Sequence, residues 1–306
     1  MKKNTLGSLL LLLTAMIWGT SFAFQRVGME TIEPITFTAA RMSLAFLAIW
    51  AVSLLLRLQE KKNPPNRSEE EEKQRRKYTL LGGLCCGFFL TAASLFQQIG
   101  MTTTTAGKAG FITALYMLLV PIFSFLLFRK KNTLLVWIGV LIGVAGMYLL
   151  CVKEGFRLTH GDTLVCICAF LFTGHILCAD YFTRYGDPVR IAAIQSLMVF
   201  LVSTVLAFLT EEPTWEKIVS AAIPIFYCGV ISAGAGYTLQ LVGQKYTDPT
   251  IASLLMSLEA VFAVLAGAIL LKERMTTREA VGCIIMFAAI ILVQLPVKAR
   301  RRDSYE

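Results

Sequence analysis

The chain has 306 residues, of which 56% are hydrophobic and 16% charged, a balance that excludes an ordinary water-soluble domain. Its formal charge of +9 could suggest a nucleic-acid partner, but the basic residues stand in short clusters between apolar runs, as membrane loops require. The expectation is an integral membrane protein whose partner is the lipid bilayer, with no nucleic acid.

From the amino terminus, Lys2 and Lys3 precede an apolar run from Leu6 to Ile17 that superficially fits a secretory signal. The run continues through Trp18 to Phe24, and no small-x-small site closes it, so an uncleaved first helix is expected. Hydropathy then sets out ten spans, each near the ~20 residues a bilayer needs. Their cores fall at 5–25, 35–56, 78–98, 106–128, 134–152, 161–182, 189–209, 217–241, 250–271 and 279–296. Between the second and third lies a run of both charge signs with Pro64 and Pro65, within residues 58–77, which reads as a solvated cytoplasmic loop or a docking segment.

After the third span, Gly100 to Ala109 imitates a phosphate-binding loop. Six residues rather than four separate Gly100 from Gly107, and Ala109 replaces the magnesium-holding hydroxyl, so no ATPase is implied. Eight cysteines occur with only two histidines. They lie in or at the ends of apolar runs and read as buried reduced thiols, with no metal and no cofactor expected.

The fourth and ninth spans carry one text twice. An offset of 143 residues places Gln97 on Gln240, Gly100 on Gly243, Thr104 on Thr247 and Ala109 on Ala252, and continues through the next span with Gly139 on Gly282. Earlier in each half the offset is 154, placing Pro34 on Pro188 and Arg41 on Gln195; the surplus of 11 residues falls in the hydrophilic run, where insertion is tolerated. Residues 1–152 and 153–297 are thus expected to be two five-helix repeats, followed by a basic cytoplasmic tail, 298–306. Five spans per repeat is odd, so the repeats are expected to be inverted. With the amino terminus in the cytoplasm, 20 Lys and Arg fall on that side and 8 on the other, predicting both termini inside.

Charged groups at membrane depth cost about 2.5–3.5 kcal/mol each and need a reason. Glu259 is the deepest acid and is open to two readings: a hydrogen-bond partner across helices, or a substrate-binding and proton-handling group. Arg41, two turns into the second span, either snorkels or locks a neighbouring helix, or it recognises an anion. His175 either packs satisfied between helices or lines a cavity and titrates. Asp180, beside Tyr181 and Arg184, reads as interfacial. The amides Gln97, Gln98, Gln195 and Gln240 bridge helices or grip a polar solute.

The strings AMIWGTSFAF from Ala15, Pro34 with Ala40-Arg41, TTAGKAGFITALYMLLVP ending at Pro121, GYTLQLVGQ from Gly236 and SLEAVFAVLAG from Ser257 resemble, in this order, the drug/metabolite transporter superfamily and its EamA-type members. Ala260 stands where that family usually has Pro, and Lys272-Glu273-Arg274 where Gly-Glu-Arg is common. The resemblance implies an all-α polytopic membrane fold with ten helices in two inverted repeats, a central cavity and alternating access. It also implies export of small metabolites or drugs from the cytoplasmic (inner) membrane.

Candidate substrate-binding residues are Trp18, Phe22, Gln98, Tyr116, His175, Tyr237, Gln240 and Glu259, with a small-molecule, amino acid-like or drug-like substrate. Protons, handled by Glu259 or His175, are the candidate coupling ion. An uptake or facilitative carrier, a polytopic enzyme and a non-transporting receptor are the alternatives. The enzyme lacks a clustered nucleophile, base or metal set, because His160 and His175 lie at different membrane levels.

Overall fold

The computed structural model describes residues 3–63, 67–104, 106–151, 159–270 and 275–294. The motif Lys272-Glu273-Arg274 and the tail 298–306 lie outside them. Among the described residues every regular element is helical. Eight helices among these residues are long and apolar enough to cross a membrane, and Leu134–Leu150 is a shorter apolar one. The chain is an all-helical polytopic membrane protein.

Three long helices open it: α1 (Lys3–Gly28), α2 (Pro34–Lys62) and α3 (Glu69–Gly100). The start of α2 is fixed by Pro34 at its first position and by the carboxylate of Glu211, which accepts from the amides of Ile35 (2.9 Å) and Thr36 (2.7 Å). A remote acid thereby satisfies donors that the helix cannot satisfy itself. The hydrophilic run expected as a loop is largely helical. Ser68 and Glu71 form a capping box, and four acids, Glu69 to Glu72, complement the dipole of the first turn. Charge alone suggested solvated coil there; the Ser-x-x-Glu spacing carries the opposite instruction. Pro64 and Pro65 lie outside the described residues.

The next span is broken into α4 (Ala106–Ala114) and α5 (Tyr116–Phe128), and the ninth into α12 (Pro249–Met256) and α13 (Glu259–Leu270). Between them run α6 (Leu134–Cys151), α7 (His160–Tyr185), α8 (Pro188–Thr210), the short α9 (Trp215–Ser220) and α10 (Ala222–Phe226), a π-helical stretch Tyr227–Gly236, and α11 (Tyr237–Gln244); α14 (Thr277–Gln294) closes the chain. Ala109–Phe128 and Pro249–Ala266 each still run on far enough to cross a membrane as one span, with a tightened turn at the junction. Leu115 bonds back to the carbonyl of Ile112, and Leu258 to that of Leu255, each at 3.2 Å. Both are three-residue closures, and both occupy the same place in the 143-residue repeat.

Local chemistry lies close to both junctions. Pro121, inside α5, lacks a donor and crowds the carbonyl of Met117, two residues past the junction at Leu115. In the second half the hydroxyls of Ser253 and Ser257 bond back to Thr250 (2.9 Å) and Leu254 (2.7 Å), competing for backbone carbonyls. Apolarity, which identified the spans, is blind to both effects.

Packing pairs the halves reciprocally. Helix α2 lies against α8 and α6 against α14; α1 packs on α12 and α13 as α7 packs on α4 and α5; α3 packs on α7 as α11 packs on α1. The largest buried cluster, including Met117, Val120, Leu254 and Met256, joins the two broken spans to α1, α6, α7 and α14.

Candidate functional site

At the meeting of the broken spans, the first residue of α5 faces the first residue of α13. The hydroxyl of Tyr116 donates to Glu259 Oε1 at 3.3 Å, and the two positions are 143 residues apart, the repeat offset. Both are buried, at 3% and 5% exposure. Equivalent residues of the two halves therefore touch, the contact a pseudo-two-fold arrangement requires of groups near its axis.

A cavity opens beside this pair, lined from both halves. Helix α1 contributes Trp18, Ser21, Phe22 and Gln25, whose spacing of three and four residues places them on one face. Arg41 enters from α2, Gln97 from α3 and Thr113 from α4, while the second half supplies Phe172, Ser232, Tyr237, Gln240 and Glu259. The repeat mates Gln97 and Gln240 thus share one cavity. Its volume is about 50 Å³, room for a few waters and far below the roughly 300 Å³ at which small-molecule pockets begin.

The walls are held by directed bonds. Trp18 Nε1 donates to the carbonyl of Ser232 in the π-helical stretch (3.1 Å), and its ring lies 5.1 Å from that of Tyr237. Gly236 permits this approach: a Cβ there would sit 2.5 Å from Trp18 Nε1. Arg41 Nη1 donates to Gln25 Oε1 at 2.8 Å, and Gln25 reaches Ser21 at 3.3 Å. Gln97 donates to Thr113 at 3.2 Å. Gln240 Oε1 and Arg41 Nε, both buried, have no hydrogen-bond partner among the described residues. An acceptor and a charged donor are thus left for a polar guest, and a buried polar group without one is costly.

Six of the eight residues singled out from the sequence line this cavity: Trp18, Phe22, Tyr116, Tyr237, Gln240 and Glu259. Gln98 does not. It follows Gln97 by one residue, about 100° around the helix, and its amide turns to the sulfur of Met29. His175 stands one layer back, its ring 6.1 Å from Tyr237 and its Nε2 3.0 Å from Gln195 Oε1. Gln195 is the repeat counterpart of Arg41, and His175 that of Ser21, at the offset of 154. Gln25, Ser21 and Thr113 were missed by sequence reasoning, although the helical spacing from Trp18 through Ser21 to Gln25 signals the first two. Asp180 is buried and held by Lys130 (3.0 Å) and by Arg184 (2.7 and 2.8 Å).

A second cavity, of about 410 Å³, lies between α2, α3 and α8. It is larger, but it is built at one end of the fold and holds none of the repeat-related polar pairs. The small central cavity is therefore the candidate transport site. Cys85, Cys86, Cys166, Cys168, Cys178, Cys228 and Cys283 are free thiols.

Comparison with known proteins agrees with this architecture. An uncharacterized transporter of Archaeoglobus fulgidus is 28% identical over 96% of this chain and 88% of its own length. An uncharacterized transporter of Methanothermobacter thermautotrophicus is 20% identical over 66% of this chain and 60% of its own, and Bacillus subtilis YyaM, also named an uncharacterized transporter, is 27% identical over 40% and 41%. A solved crystal structure superposes with a TM-score of 0.77, covering 97% of this chain and 99% of its own at 19% identity, a likeness of fold alone. The model of the EamA-like transporter family matches residues 5–152 and again 159–295. With both halves matched over nearly their whole length, the chain belongs to the EamA-like transporter family, a branch of the drug/metabolite transporter superfamily.

Proposed function

We propose that this transporter is a secondary carrier that exports a small amphipathic solute, of the size and charge pattern of an amino acid, by alternating access. The observation that carries this reading is the Tyr116–Glu259 contact between repeat-equivalent residues, each opening the second segment of a broken span, beside a cavity lined by both halves. Broken helices at the interface of inverted repeats are where carriers of this kind bind their solutes. In this reading ten spans form two inverted repeats, with both termini on the cytoplasmic side of a bacterial-type inner membrane.

The cavity suits a zwitterion. Arg41 offers a guanidinium for a carboxylate, Glu259 and the free Gln240 Oε1 offer acceptors for an ammonium, and Trp18, Phe22 and Tyr237 flank an apolar side chain. At its present volume the cavity holds no such solute, so the substrate would stabilise a more open arrangement with the halves rocked apart. Proton coupling is assigned to Glu259, with His175 in the supporting layer.

Reconstitution into liposomes tests this. A panel of labelled amino acids and amphipathic drugs is followed by counterflow, with and without an imposed pH gradient. At least one zwitterionic solute is expected to exchange, with Arg41→Gln and Glu259→Gln each cutting the rate by tenfold or more. Full gradient dependence in Glu259→Gln would remove that residue as the coupling site. Exchange only of solutes lacking a carboxylate would remove the zwitterion assignment. Net flux under a gradient distinguishes export from uptake.

A further inference from the structure

The larger cavity has a polarity of its own. On α2 its wall runs from Phe46 through Trp50 and Leu54 to Arg57; on α3 from Leu80 back to Arg75 and Arg76; on α8 from Leu197 and Ile194 back to Arg190. Helix α2 ends where the other two begin, so all three walls place arginine at the same end and apolar side chains below it. The apolar part opens outward: Trp50, Leu54 and Leu80 are 53%, 42% and 54% exposed. In a chain that spans the membrane, those faces meet acyl chains.

The arginine end sits at headgroup depth. Two residues past Arg76, Tyr78 packs with Tyr185 (4.9 Å between centroids) and Tyr181 (6.3 Å), the kind of aromatic belt that marks a membrane–water interface. Two of the arginines are spent on structure. Arg75 pairs with Asp187 and with Glu60 (3.4 Å), and Arg190 with Glu60 (2.9 Å). Arg76 reaches Glu72 at 3.3 Å with its side chain 75% exposed, and Arg57 has no carboxylate partner among the described residues. The carboxylates Glu60, Glu72 and Asp187 orient the rim, and none of them lines the cavity. At about 410 Å³ the space falls within the roughly 300–1,000 Å³ of small-molecule sites.

We propose that this groove binds an acidic glycerophospholipid, its phosphate held by Arg57 and Arg76 and its acyl chains along Trp50, Leu54 and Leu80. Basic pockets between membrane helices serve anionic headgroups in this manner, because the phosphate gains charge-assisted bonds while the chains stay in hydrocarbon. The proposal rests on the membrane-spanning fold and does not depend on the transported solute. A lipid seated here would also bridge α2, α3 and α8.

The test uses the full-length protein in neutral detergent, with thermal unfolding followed during titration with dioleoyl-phosphatidylglycerol or with dioleoyl-phosphatidylcholine. The acidic lipid is expected to raise Tm saturably, by about 2–4 °C, and the zwitterionic lipid to leave it unchanged. Arg57→Gln/Arg76→Gln, both exposed side chains, should lose at least half of the rise. Lys73→Gln/Lys77→Gln, which removes the same charge from α3 outside the groove, should keep it. Equal shifts with both lipids, no shift with either, or equal losses in the two double variants would each overturn the proposal. A shift reproduced by free glycerol 3-phosphate would overturn the lipid assignment in favour of a soluble phosphate. Should the first double variant fail to fold, native mass spectrometry of the wild-type protein decides instead. Phosphatidylglycerol adducts that survive activation stripping phosphatidylcholine support the site, and adducts lost together overturn it.

Discussion

Tyr116 and Glu259 show what one hydroxyl does inside a membrane protein. The phenol donates to a buried carboxyl group, and removing one partner leaves the other to carry its desolvation alone. Tyr116→Phe should therefore destabilise the protein by about 1–3 kcal/mol, read as a lowered Tm in detergent, with the fold retained by circular dichroism. An unchanged Tm would mean that Glu259 finds another donor. Gly236 makes a sharper case, because a methyl there would stand 2.5 Å from the Trp18 indole nitrogen. Gly236→Ala should push the indole off the Ser232 carbonyl, cost about 1–3 kcal/mol and shift tryptophan emission. The identity of these residues was legible in the sequence, and Tyr116 and Glu259 stood out as polar groups in apolar runs. That they touch was not, since a side chain's partner is set by the packing of helices far apart in the chain.

At the scale of elements, the two interrupted spans matter most. The second break occurs without proline: Ala260 stands second in α13, its amide bonded to Ser257 at a long 3.3 Å. A proline in the first helical turn forfeits little, whereas one deeper inside loses a bond and clashes with the preceding turn. Ala260→Pro is accordingly expected to cost less than Ala263→Pro, which should lose about 3 kcal/mol or more; the two Tm values measured side by side decide it. Gly19 marks how closely α1 approaches this element, because a Cβ there would lie 2.5 Å from the Glu259 carbonyl and 2.8 Å from the Ala263 amide. Backbone cannot move aside as a side-chain tip can. The break itself was invisible to hydropathy, while the capped start of α3 was written in the sequence as Ser68-x-x-Glu71 and was masked by the charge around it.

Across the whole molecule, polar clasps close the bundle at both ends. At one end Glu33 pairs with Lys217 and Glu211 caps α2; at the other, Arg75, Arg190, Glu60 and Asp187 tie α2 and α3 to α8. The hydrogen bond from Lys217 holds the Glu33 carboxyl below its ordinary 4.5, and the same bond raises the Lys217 ammonium above 10.5. The signs then follow. A lowered acid stabilises the fold above its unfolded value and loses that contribution as pH falls through its folded one, and a raised base loses its contribution only as pH climbs past its folded value. The clasp is thus intact from about pH 4.5 to 10.5. Lys217→Gln should lower Tm by a constant small amount across neutral pH, and the gap to the wild type should close as the solution is acidified below 4.5. A gap that persists in acid would separate Lys217 from Glu33.

The sequence by itself determined that this is a helical membrane protein, where its apolar runs lie, and that one pattern occurs twice at an offset of 143 residues. Hydropathy and repetition are properties of local segments and need no knowledge of what faces what. The tertiary structure alone decided that Tyr116 meets Glu259, that Gln97 and Gln240 share a cavity while Gln98 leaves it, and that His175 stands a layer behind. Those outcomes depend on the rotation of each helix against its neighbours. A turn of about 100° moves a residue from lining to wall, and only the packed bundle fixes that angle.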